Sequence, residues 1–262
     1  MISTASHQPS GNASKVARQK KLINQPRNVV IESIEGLELA YPDLLSVMYD
    51  PPVVWRKDAP IAGKVSIISG SGSGHEPLNT GYVGPGMLDA ACPGGVFTRP
   101  TPDQYLAAIR KVYGGAGALF VIKNYAGGVL NMGMAMEMAE EAHFRVRSVL
   151  VNDDVAMDNP DKRRGMGATV LVEKIAGAAA EAGRPLEQVA DFAQQVISQA
   201  RSMGLALSSC TSPNIGYPTF DLPGDEIELG VGIHGERGRH RLPLTTADDR
   251  TEMILEPIAS DL

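Results

Sequence analysis

Cysteine is almost missing from this 262-residue chain, with Cys92 and Cys210 as its 2 examples. Two thiols cannot make a disulfide framework, and they fit a reducing compartment such as the cytoplasm. A surplus of positive charge is missing as well. Lys and Arg number 24 against 30 Asp and Glu, a formal net charge of −6. A nucleic-acid binder needs the opposite balance to neutralise phosphates, so that class of partner is not expected. Aromatic residues are scarce at 5%. Long apolar runs are lacking too. The longest uncharged stretch, 202–220, is broken by Ser, Asn, Thr and Pro, so no membrane span is expected.

Several catalytic signatures are also absent. No P-loop sequence occurs. No pair of cysteines has zinc-ligand spacing, and His75-Glu76 is followed by Pro77, Leu78 and Asn79 rather than by a second histidine. The glycines at 70, 72 and 74 are spaced G-x-G-x-G, which is not the dinucleotide fingerprint. Ser71 stands where a nucleophile elbow around Ser73 would need glycine. No metal site is expected.

What is present is an alternation of apolar strands and amphipathic helices. Helical periodicity runs from Ile23 to Leu45, until Asp50-Pro51-Pro52 breaks it. Lys64–Ser69, Ala118–Ile122 and Val146–Val151 read as buried strands. Helices are expected from Pro102 past Val112, through the methionines 132, 134, 136 and 138, from Gly165 to Ala182, and from Leu186 to Ser202. Leu205–Ser208 and Ile227–Ile233 read as later strands. Such alternation predicts an α/β fold with a parallel sheet and right-handed crossovers. Residues 1–19 read as a flexible polar tail. The early residues carry Lys15, Arg18, Lys20, Lys21 and Arg27 with no acid before Glu32, so a transit segment is the alternative there.

Ligands of parallel α/β sheets sit beyond the carboxyl ends of the strands. Four loops therefore matter. Gly70 to Gly74 is read as a glycine-rich loop that lets backbone N–H groups approach a small polar molecule. His75 follows it, and at a helix mouth its neutral form would be favoured, ready to accept a proton. A packing histidine in a tight turn is an equal alternative. Lys123 follows the second strand, either gripping ligand oxygens or lying on the surface. Asp153-Asp154 follows the third, as a metal pair or as helix caps. His234 ends the strand Ile227–Ile233, where an imidazole can attack a carbonyl and Glu236 can orient the ring. An exposed turn histidine is its alternative. His7, His143 and His240 read as surface residues.

Ordered segments then carry a resemblance that no one of them carries alone. They include Gly70-Ser71-Gly72-Ser73-Gly74-His75-Glu76-Pro77, Gly81-Tyr82-Val83-Gly84, Ala91-Cys92-Pro93-Gly94 and Lys123-Asn124-Tyr125. Asn152-Asp153-Asp154-Val155-Ala156, Arg163-Arg164-Gly165 and Glu228-Leu229-Gly230-Val231-Gly232-Ile233-His234-Gly235-Glu236 follow in order. From about Lys20 to Gly238 the chain resembles the substrate-binding K subunit of dihydroxyacetone kinases. The resemblance implies a Rossmann-like first lobe over 20–200 and the start of a second lobe, incomplete here, over 201–262 that carries His234.

It also implies a small ketose held as a hemiaminal on His234, with Gly72, Ser73, Gly74, His75 and Lys123 around it. His75 would relay the hydroxyl proton. Phosphate would come from an L-type partner carrying ATP and magnesium, or from a phosphotransferase relay, with no cofactor on this chain. A homodimer involved in glycerol metabolism is expected. In the family an aspartate follows Lys-Asn-Tyr-x-Gly, whereas this chain has Gly128. That change implies either impaired turnover, as in a ketose sensor or co-regulator, or room for a four-carbon ketose. The family's chain also continues beyond the His234 segment. A split gene, a remnant or a partner chain supplying the rest are the alternatives for this shorter sequence.

Overall fold

The computed structural model describes residues 19–262. His7 and nearly all of the expected tail lie outside the described residues. The chain forms α1 (Val29–Ala40), β1 (Leu45–Tyr49), β2 (Pro52–Arg56), β3 (Ser66–Ser73), β4 (Ala90–Val96), α2 (Pro102–Val112), β5 (Ala118–Lys123) and α3 (Ala126–Glu141). Then come β6 (Val146–Val151), α4 (Ala168–Glu181), α5 (Leu186–Gln199), β7 (Leu205–Ala206), β8 (Glu226–Leu229), β9 (His240–Pro243) and α6 (Ala247–Ser260).

The central sheet has the order β1-β2-β4-β3-β5-β6. Its β4-β3-β5-β6 portion is parallel, and β1 and β2 add an antiparallel edge. The expected parallel sheet is present in its four strands β4-β3-β5-β6, and the antiparallel edge is an addition to it. The cause is the short link Asp50-Pro51 between β1 and β2, which permits a hairpin and no crossover helix.

Both faces of β5 are covered, which is why it reads as a continuous apolar run. On one face Ile67, Leu119, Val121 and Val149 pack against Val172, Ala176, Leu186 and Val189. On the other, Ile68, Phe120 and Ile122 meet Tyr105, Ile109, Met132 and Ala135. Of the evenly spaced methionines, Met132 is buried and Met134 is exposed, as even spacing on a helix requires.

The helix expected over 23–45 is confined to α1. Tyr41 precedes Pro42, which disfavours helical backbone, and Leu45 already starts β1. The glycine-rich segment is not a free loop. Strand β3 runs on through it to Ser73, beside β4. Strand β8 ends at Leu229, four residues earlier than expected, because Gly230 turns the backbone at φ +77°. A second, three-stranded antiparallel sheet, β7-β8-β9, packs Leu229 with Met203, Val155 and α6. Among the described residues, no helix is long and apolar enough to cross a membrane.

Candidate active site

The carboxyl ends of β3 and β5, the N-terminus of α3 and the turn after β8 converge on a cavity of about 340 Å³. Gly70 and Gly72 from β3, Lys123 from β5, Gly127 and Gly128 from α3, and His234 with Glu236 line it. At Gly72 the backbone passes so close to Phe97 and Thr98 that a Cβ would lie 2.6 Å from the Thr98 nitrogen.

His234 sits in a turn five residues past β8, not at a strand end. Its Nδ1 lies 2.9 Å from Glu236 Oε1, and its backbone N–H donates to Glu236 Oε2 over 2.9 Å. Burial resists ionisation of Glu236, yet bonds from the His234 ring and from backbone N–H groups hold its carboxyl down at about 2. An ionised acceptor at Nδ1 fixes the proton there and leaves the Nε2 lone pair free.

His75 packs edge-on against His234 with ring centroids 5.0 Å apart. Phe97 and Tyr125 complete the aromatic wall, 5.1 Å from His75 and 4.7 Å from His234 respectively. Burial, then repulsion from His234 and Lys123, pushes the His75 imidazole down to about 4. Its Nε2 is buried without a partner. The helix expected after His75 does not exist. A turn leads to one 3-10 turn at Thr80–Tyr82, so burial rather than a helix end keeps this ring neutral.

Lys123 is not a surface lysine. It is 7% exposed and its Nζ has no partner. Burial pulls its ammonium down to about 8, opposed by Glu173 and Asp153. Glu173, in the middle of α4, is fully buried. Burial raises its carboxyl to about 7, and its Oε1 accepts 2.6 Å from Asn79, which also donates to Ser69. Glu173 acts on Lys123 through its charge and does not itself line the cavity.

Of the expected contact residues, Gly72, Lys123 and His234 line the cavity, whereas Ser73, Gly74 and His75 do not. The Ser73 hydroxyl donates to the Gly94 carbonyl, and the Gly74 N–H donates to the Glu76 carboxylate. Both groups are already satisfied. Asp153 and Asp154 act as structural acceptors. Asp153 caps the entry to α4 through the Met166 and Ala168 N–H groups, and Asp154 pairs with Arg164. His143 and His240 are exposed. The reading from sequence missed Phe97, Arg99, Tyr125, Asn79 and Glu173. The one legible signal among them was Glu173, an acid flanked at helical spacing by Val172, Ala176 and Ala180 on the buried side of α4.

The Dak1 domain matches residues 35–262. The dihydroxyacetone-binding subunit of the PEP-dependent dihydroxyacetone kinase of Escherichia coli K12 is 45% identical over 242 residues, covering 91% of this chain and 68% of that protein. The crystal structure of the dihydroxyacetone kinase of C. freundii superposes with a TM-score of 0.86 at 37% identity, over 93% of this chain and 45% of that one. A dihydroxyacetone kinase operon co-activator superposes with a TM-score of 0.82 at 30% identity, over 88% of this chain and 71% of that one. The chain therefore spans less than half of the C. freundii kinase. With a mainly parallel α/β sheet, two histidines meeting at its carboxyl end and a domain match over most of its length, the chain belongs to the Dak1 family of dihydroxyacetone kinases.

Proposed function

We propose that this chain is the substrate-binding subunit of a dihydroxyacetone-type kinase, holding a small ketose covalently on His234. The observation that carries the reading is the His234 ring, with Nδ1 tied to an ionised Glu236 and Nε2 left as a free nucleophile beside the cavity. Attack by Nε2 forms a C–N bond while the carbonyl π pair moves to oxygen. The oxygen takes one proton from solvent and the Nδ1 proton leaves to solvent by way of Glu236, so the neutral hemiaminal keeps the atom count of imidazole plus ketone. Lys123 supplies N–H donors to the ketose oxygens. His75, neutral at physiological pH, accepts the proton of the terminal hydroxyl that is to be phosphorylated.

The phosphoryl group would come from an L-type partner subunit bearing ATP and magnesium, or from a phosphotransferase relay. This chain contributes orientation, the larger part of what phosphoryl transfer asks of a protein. Its test is to mix the chain with an L-type subunit, the phosphoryl donor and dihydroxyacetone. A phosphorylated ketose is expected; none under any pairing contradicts the kinase reading. A second reading, a ketose sensor without turnover, is favoured by Gly128 at the cavity wall and by the likeness to a co-activator. Under it, the adduct forms and no phosphorylated product appears.

Two outcomes follow for this site. Ketose capture requires charged Lys123, and phosphoryl transfer requires neutral His75. Turnover should rise as pH passes about 4, where His75 loses its proton, and binding should fall as pH passes about 8, where Lys123 loses its own. Calorimetric titration reads the binding; a flat profile through the upper limb contradicts the role of Lys123. Glu236→Gln removes the charge that fixes the Nδ1 proton. Adduct formation should slow by about tenfold or more, measured as the rate of mass increase by intact-protein mass spectrometry.

A further inference from the structure

We propose that the cavity beside His234 contains an anion subsite, so that it prefers a short ketone with a terminal phosphate or carboxylate to a neutral ketose. This inference rests on the capture reading above for the carbonyl end of the ligand. The anionic end is argued separately, from three positive features lining a cavity whose one carboxylate, Glu236, is turned to the His234 ring. The first is Lys123, nine-tenths buried, lining the cavity, its Nζ unpartnered.

The second is Arg99, which lines the same cavity. Its guanidinium lies against Gly127 so closely that a Cβ there would overlap it. Among the described residues, no carboxylate forms an ion pair with Arg99. The third is the start of α3, where Gly127 and Gly128 line the cavity. This 16-residue helix has no acidic residue in its first turn and no side-chain cap on its first N–H groups.

Arg99 is solvent-exposed beside the positive end of α3, and an anion reaching both would gain from each. The acid that faces this cavity cannot serve. Both oxygens of Glu236 are occupied by the His234 ring and backbone. Glu173 does not line the cavity and is bonded to Asn79. A phosphate or carboxylate on the ligand would accept from Arg99, from the α3 N–H groups and from Lys123 together, the donor set that suits a multidentate anion.

The test compares dissociation constants of the full chain for dihydroxyacetone, dihydroxyacetone phosphate and hydroxypyruvate. These share one carbonyl and differ at the terminus, and they separate phosphate from carboxylate. At least one anionic ketone should bind about tenfold or more tightly than the neutral one. Arg99→Gln should collapse that ratio toward one. Gly127→Ala, which displaces the guanidinium, should do the same. Gly128→Asp, which sets a carboxylate in the subsite, should invert it.

Inorganic phosphate, followed by 31P line broadening, probes the subsite without any carbonyl chemistry. Its broadening should be present in wild type and in His234→Ala, and reduced in Arg99→Gln. Equal or weaker binding of both anionic ketones, with dihydroxyacetone bound, overturns the proposal. If no ketone binds, the capture reading fails, and the phosphate arm alone decides the subsite. Broadening that is absent, or indifferent to Arg99, then overturns it.

Discussion

Gly128→Asp is expected to raise turnover with an L-type partner and dihydroxyacetone by about 100-fold or more, the range that a positioned general base contributes. The substitution fits the local structure. A Cβ at Gly128 would meet its nearest neighbour, the Lys123 carbonyl oxygen, at 3.7 Å, an ordinary contact. The residue lies in the first turn of α3, where a carboxylate is favoured by the helix dipole and glycine is the poorest ordinary helix former. Its side chain would enter the cavity lined by Lys123 and His234. The gain is read as the rate of phosphorylated ketose formed under saturating partner. A rate unchanged or lowered, with ketose still bound, would mean that His75 already supplies the proton acceptor and that Gly128 is no deficit.

Lys123→Met is expected to move stability and ligand binding in opposite directions. The wild-type ammonium is buried and unpartnered, an arrangement that costs folding free energy. Its titration lies below that of an ordinary lysine, so the folded state disfavours the proton. That penalty is complete below about 8 and disappears as pH approaches the ordinary value of 10.5. Replacing it with an unbranched apolar side chain should therefore stabilise the protein at neutral pH by about 1–3 kcal/mol, seen as a higher denaturant midpoint. Ketose affinity should fall by about tenfold or more as its oxygens lose those donors. A variant that is destabilised, or that binds as well as wild type, contradicts the view that Lys123 is held ready for a ligand.

Much of this site was legible in the sequence because apolar runs mark buried strands. Val146–Val151 matches the sequence reading to the residue and Ala118–Ile122 to within one; β5 is buried along its whole length, whereas β6, at the sheet edge, buries Val149 and Val151 and exposes Arg147, Ser148 and Leu150. That placement located Lys123 at a strand's carboxyl end. His75 and His234 were each flagged from their own neighbours, but their edge-on contact depends on a turn from the second sheet reaching over the first. No local pattern encodes that approach. Strand β4 was invisible because Ala90–Val96 contains Cys92-Pro93-Gly94-Gly95, a sequence of low strand propensity. It is a central strand through its neighbours, paired between β2 and β3, and Gln104 donates to the Pro93 carbonyl. The occupation of Ser73 and Gly74 by Gly94 and Glu76 was hidden for the same reason, since one of those partners belongs to the unseen strand. Arg99 gave no signal at all. Its meaning comes from lying against Gly127, far along the chain.

The central claim is that the imidazole of His234 bonds to a ketone carbon. Dihydroxyacetone labelled with 13C at its carbonyl, added to the full chain, reads this directly. The predicted spectrum contains a protein-bound tetrahedral carbon, distinct from the free ketone and its hydrate, which vanishes in His234→Ala. A spectrum showing only the free ketone and hydrate, or a bound signal that persists in His234→Ala, would contradict the account.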